Sequence, residues 1–147
     1  MSRTAHRVRV AASPAEIWPA LTDVGLWPSW AAQFRRLERL DARPLATGSR
    51  VRVTPKGLPA SIWTVTELET ERSFTWAASL VPRLRVVGGH TIDPADGGSD
   101  TEFWLEAHGP LGVLLSPVLR RTVFRRNTRQ AAEGLKRHVE NERASAP

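Results

Sequence analysis

Apolar and polar residues alternate along most of this chain, and the alternation gives way to a helical period near its end. Residues 3–12 (RTAHRVRVAA) set Ala5, Val8 and Val10 among polar neighbours, which predicts a first strand. SPAE then opens a short helix. Ser13 is a good N-cap, Pro14 takes the first helical position, and Glu16 can close a capping box. Ile17, Leu21 and Val24 fall on one face of it, Pro19 interrupts its backbone bonding, and Gly25 can terminate it. Six further strands are predicted, over 34–41, 49–55, 61–69, 74–81, 83–93 and 101–109, separated by turn-forming stretches such as KGLP and PADGGSD. Between 117 and 143 the period changes. Phe124, Thr128, Ala131, Leu135 and Val139 recur at three and four residues, which predicts a long amphipathic helix with Ser116 as cap and Pro117 as its first residue. GPLGVLL before it reads as a separate helical turn. Strand runs joined by turns, with helices at the two ends, predict an antiparallel sheet covered on one face: an α+β fold in one domain over 1–147.

Alternation also sorts side chains by face. Val51 and Val53, Trp63 and Val65, and Phe74, Trp76 and Ala78 are expected to point toward the helix. So are Val86, Gly88, His90 and Ile92, and Phe103, Leu105 and Ala107, which turns Glu102, Trp104 and Glu106 to the other face. A bulge would reverse any of these strands.

The ordered set VRVAASPAEIWPALTDVGLWPSW, GSRVRV, WTVTELETERSFTW and TEFWLEAHGPLG, followed by a long C-terminal helix, resembles the polyketide cyclase/dehydrase and lipid-transport group of the START-like, helix-grip superfamily. The resemblance runs from about residue 7 to about residue 140 and rests on the order of the segments, since no single motif is unique. It implies a curved seven-stranded antiparallel sheet gripping the last helix, two short helices after the first strand, and a hydrophobic cavity between sheet and helix. It also implies that DVGLWPSW lies at the cavity rim. There Trp27 is expected to plug the end of the sheet as core, and Trp30 to line the cavity. Pro19 departs from the usual unbroken first helix.

Composition narrows the chemistry. The 147 residues contain no cysteine, which excludes disulfides, thiolate nucleophiles and cysteine-ligated metals. No run of 18 apolar residues predicts a membrane span. The N-terminus lacks an apolar signal region and reads as mature, so a cytoplasmic location is the default expectation. The net charge of +6 comes mainly from arginine, with only Lys56 and Lys136 among the 21 basic residues. Genome composition and solvation explain such a bias more simply than nucleic-acid binding, and no recognition motif accompanies it.

Aromatic bulk is mostly indole: six tryptophans, four phenylalanines and no tyrosine. The predicted ligand-binding set is Trp30, Val53, Trp63, Val65, Trp76, Ala78, His90, Ile92, Phe103, Leu105, Phe124 and Thr128. His90 is the one titratable side chain expected to point inward, able to act as a base or to hydrogen-bond a ligand; a histidine satisfied by backbone is the plainer reading. His6, His108 and His138 are expected to be solvated. Glu67, Glu69 and Glu71 read as a solvated edge, and the two glycines of VVGGH as a bulge or close packing. No spacing for a metal site is present, and no cofactor is expected. Arg121 and Arg125 border the apolar stripe of the last helix and can reach toward a pocket mouth. The leading functional expectation is reversible binding of a small hydrophobic molecule, aromatic, polyketide-like or lipid-like. The alternatives are a cyclase or dehydratase that uses His90 as its base, and a basic interaction module.

Overall fold

The computed structural model describes residues 3–145. Its strands are β1 (Thr4–Val10), β2 (Phe34–Arg39), β3 (Arg50–Pro55), β4 (Ser61–Glu69), β5 (Ser73–Val81), β6 (Leu84–Ala95) and β7 (Gly98–His108). All seven join one antiparallel sheet in the order β1-β7-β6-β5-β4-β3-β2. From β2 onward each strand pairs with the next, through a ten-residue loop (40–49) between β2 and β3 and shorter links thereafter. β1 instead pairs with β7, Val10 lying opposite Ser99 and Thr4 opposite Leu105. On the outer face this pairing is laced by Arg3–Glu106 (2.6 Å), Arg7–Glu102 (3.2 Å) and Arg9–Asp100 (2.7 Å). Such exposed pairs add little stability, but they match the register. Register shifts between Phe34 and Arg36, Val65 and Glu67, and Ser79 and Val81 bend the strands, and they help curl the sheet.

The link from β1 to the far edge runs through α1 (Pro14–Thr22) and a 3-10 turn, Val24–Ser29. The capping box forms as the sequence predicts: the Glu16 N–H donates to Ser13 Oγ at 3.3 Å, and the Ser13 N–H donates to Glu16 Oε1 at 3.1 Å. Ile17 and Leu21 bury the inner face of α1, which stops three residues beyond the internal Pro19.

The C-terminal helix differs from expectation. It begins at Gly109, not Pro117, and runs without a break through α2 (Gly109–Leu119), a π turn at Arg120–Phe124, and α3 (Arg125–Ser145). Ser116 therefore caps nothing. Pro110 supplies the first-turn proline instead, where a missing N–H costs no helical bond. Pro117 sits inside the helix and cannot donate to the preceding turn. Just beyond it the Arg120 N–H is shared between the Ser116 and Pro117 carbonyls, and the ladder widens into the π turn. That turn brings Phe124 to the buried side, and Thr128, Ala131, Leu135 and Val139 follow it there. Ala131 and Leu135 join the main core with Phe103, and Phe124 joins a smaller cluster with partly buried Leu105. Close approach of α3 depends on Gly134: a Cβ there would lie 1.9 Å from the Trp30 carbonyl oxygen.

Candidate functional site

Between the concave face of the sheet and the C-terminal helix lies a cavity of about 340 Å³. Its deep end is aromatic. Trp27 comes from the 3-10 turn, Trp76 from β5, His90 from β6 and Phe103 from β7, and all four are buried. Trp63 and Phe124 flank this end, while Leu58, Leu80, Val81 and Val123 are exposed and form the mouth. No Asp, Glu, Lys or Arg lines the space. Pairing of β5 with β6 sets Phe74 opposite His90 and Trp76 opposite Gly88. Gly88 lets the Trp76 and Leu105 side chains close over it, since a Cβ there would lie 3.1 Å from both Trp76 Nε1 and Leu105 Cδ2. The VVGGH glycines thus serve close packing. On the outer face, Gly89 accommodates the Trp104 ring, which would sit 2.0 Å from any Cβ at that position, and Arg3 covers the same indole at 3.7 Å.

His90 is the only titratable residue in the lining. Four rings enclose it, with centroid distances of 4.2 Å to Phe74, 4.9 Å to Phe103, 5.3 Å to Trp27 and 5.5 Å to Trp76. Its Nδ1 lies 3.0 Å from the Phe74 carbonyl oxygen. A carbonyl only accepts, so Nδ1 carries the proton and Nε2 keeps its lone pair. Burial away from water pushes the imidazole pKa down to about 3, against a smaller upward effect of the bond to Phe74. At neutral pH the side chain is an uncharged acceptor at Nε2, without a protein partner among the described residues.

The cavity gathers eight of the twelve predicted ligand-binding residues: Val53, Trp63, Trp76, His90, Phe103, Leu105, Phe124 and Thr128. The other four lie elsewhere. Val65, Ala78 and Ile92 are buried in packing and do not border the space. Trp27 is core as expected and also borders the cavity, whereas Trp30 does not border it. The Trp27 indole turns inward, fixed by donation from Nε1 to the Leu21 carbonyl at 3.0 Å, and so is both core and cavity wall. Trp30 packs beside Trp27 (5.3 Å between ring centroids) and Phe103 (6.5 Å), clamped by the approach of α3 at Gly134, with its ring stacked on His138 at 6.4 Å. Two shallower, more open hollows adjoin Trp30 and His138 there, bordered by charged residues such as Glu142.

Several lining residues escape the alternation rule because they come from turns. Leu58 and Pro59 belong to the β3–β4 loop, and Val123 is set by the π turn. Asn127 is half-buried at the wall beside Thr128, one residue off the predicted stripe. The remaining histidines are less solvated than expected: His6, His108 and His138 are each partly buried beside Glu133, Glu106 and Glu142. Arg121 and Arg125 are exposed and do not border the cavity, and Glu67, Glu69 and Glu71 are exposed as expected. No cluster of three or more metal-ligating side chains occurs among the described residues.

A curled seven-stranded sheet closed over a long C-terminal helix, with an apolar cavity between them, defines a helix-grip protein. The chain belongs to the polyketide cyclase/dehydrase and lipid transport family, whose sequence profile matches residues 1–140. No curated protein matches it. Among solved structures it resembles the di-domain aromatase/cyclase StfQ of the steffimycin biosynthetic pathway, at 16% identity over 98% of this chain and 52% of that one, with a TM-score of 0.76. It also resembles a protein from Thermus thermophilus (16%, 99% and 100%, TM-score 0.74). A third is the Zhui aromatase/cyclase from a Streptomyces species (16%, 99% and 99%, TM-score 0.73). At such identities the likeness establishes the fold alone.

Proposed function

We propose that this protein reversibly binds a small, flat, largely apolar molecule that carries a hydroxyl or N–H donor. The observation that carries the reading is the neutral His90, whose Nδ1 is occupied by a backbone carbonyl while Nε2 stays open beside a charge-free aromatic cavity. The cavity volume falls at the small end of the range of about 300–1,000 Å³ that holds small-molecule ligands. Indole and phenyl faces favour a planar guest, and a donor on that guest would satisfy the one open acceptor. The family description and the two aromatase/cyclases support a second reading, a cyclase or dehydratase acting on a polyketide-like substrate. Two features weigh against it. An imidazole with a pKa near 3 is a weak base at neutral pH, and no carboxyl group lines the cavity to act as a partner acid.

No helix of the described residues is long and apolar enough to cross a membrane. A cytoplasmic location is part of the proposal and rests on the cysteine-free composition.

Titration with 2-naphthol and with its methyl ether, followed by tryptophan emission, tests the binding reading. The naphthol should bind about tenfold more tightly, because the ether leaves Nε2 unpaired. His90→Phe should erase that preference while retaining apolar binding. Equal affinities for the two compounds would remove the donor from the proposal, and no binding by either would remove this ligand class. A turnover that falls about 100-fold or more in His90→Ala would replace binding by catalysis.

A further inference from the structure

The segment Gly109–Leu119 contains no charged residue, and it is apolar on every side. Leu111, Gly112 and Leu119 turn toward the sheet, where Gly112 lies against Ala107 and Leu84. Val113, Leu114 and Val118, on the opposite side, are 58%, 74% and 62% exposed. A helix apolar all round belongs in an interior or against another apolar phase, yet this one lies on the surface. It also frames the cavity mouth. At one end the Leu111 N–H donates to the Arg83 carbonyl at 3.1 Å, beside Leu80 and Val81 of the mouth. At the other end it runs into the π turn that presents Val123.

The segments that carry the mouth residues bear charge of one sign, on side chains that flank the mouth along the chain without bordering the cavity. These segments, residues 51–66, 73–92 and 107–132, include no Asp or Glu. Lys56, Arg83, Arg120, Arg121 and Arg125 are exposed. None of the five joins a salt bridge among the described residues, whereas Arg3, Arg7 and Arg9 on the β1–β7 edge are each paired with a carboxylate.

From this juxtaposition we propose that the outer face of α2 and the cavity mouth seat on the surface of an anionic lipid bilayer. Aliphatic side chains enter the headgroup–acyl boundary, and the unpaired cations meet lipid phosphates. A second copy is disfavoured, because a two-fold contact through this face would set the same cations against each other. The core of a protein interface draws on aromatic and hydrogen-bonding anchors, and the outer face of α2 presents only Val113, Leu114, Pro117 and Val118. The inference does not depend on what the cavity holds.

Flotation of the full chain with vesicles of phosphatidylcholine, and of phosphatidylcholine with one-third phosphatidylglycerol, tests it. Binding should require the anionic lipid and weaken as salt is raised. Leu114→Asp with Val118→Asp should reduce binding about tenfold or more. Both sites are exposed, so the thermal melt should be unchanged and report an intact fold. Neutralising Arg120 or Arg121 to Gln should cost about fivefold each. The proposal is overturned if anionic vesicles bind no better than neutral ones, or if the double variant floats like the parent. It is equally overturned if light scattering finds a dimer that the double variant dissociates, or if this face captures an acidic protein while ignoring vesicles.

Discussion

Mild acid should destabilise this protein through His90. The imidazole is buried and neutral, with its pKa moved from the ordinary 6.5 to about 3. The unfolded chain therefore takes up a proton that the folded chain refuses, over the whole interval between those values. Stability contributed by the neutral form is fully present above about pH 6.5 and is lost as pH falls toward 3. Between about pH 7 and pH 5 the folded side chain stays neutral while its unfolded counterpart becomes almost fully charged, a difference of about 2 kcal/mol. This window is free of the most strongly held carboxylates. Glu16, bonded by the Ser13 backbone N–H, Asp100, bonded by Arg9, and Glu140, bonded by Lys136, are all held below their ordinary range. Urea unfolding at the two pH values, in the parent and in His90→Gln, isolates the effect. Glutamine keeps a donor for the Phe74 carbonyl and removes the titration. The parent should lose about 2 kcal/mol more than the variant over this interval. Equal losses would show that His90 protonates in the folded state, and the burial assigned to its imidazole would be wrong.

Two further results are expected. Leu135→Ala removes a fully buried side chain of α3 from the main core and should cost about 2–5 kcal/mol in chemical unfolding; a loss near zero would contradict the packing of α3 on the sheet. Ligand-induced change in tryptophan emission should shrink in Trp76→Phe, whose indole borders the cavity, and persist in Trp104→Phe, whose ring lies on the outer face under Arg3; the reverse pattern would place the ligand elsewhere.

Much of the fold is legible in the sequence because its signals are local. Alternation in β3 and β7, the Ser13–Glu16 box and the Phe124–Val139 stripe each depend on a few neighbouring residues, and each appears near where the pattern puts it, β7 starting at Gly98, three residues inside the expected turn. Alternation also set His90 at the cavity and the Trp104 ring over Gly89 and under Arg3 on the outer face, although Trp104 as a residue also borders the cavity. The order of segments carried the resemblance to the family that the chain belongs to.

What failed to show locally was decided by packing. The helix start moved from Pro117 to Gly109 because α2 gains contacts with β6 and β7 that offset an internal proline, a balance no local rule contains. That Trp27 also walls the cavity, and that Trp30 does not border it, turned on one hydrogen bond to Leu21 and on the close approach of α3 at Gly134, a contact 104 residues away along the chain that only folding makes. Val65, Ala78 and Ile92 face inward as their period requires, yet facing inward does not distinguish filled core from cavity wall. That distinction depends on how neighbouring side chains fill the space between them, as Trp76 and Leu105 do over Gly88, and on where the helix comes to rest. The sequence by itself determined the strands, the faces and the family; only the tertiary structure decided which inward side chains leave empty space between them, because a void belongs to the packing of many residues and to no single one.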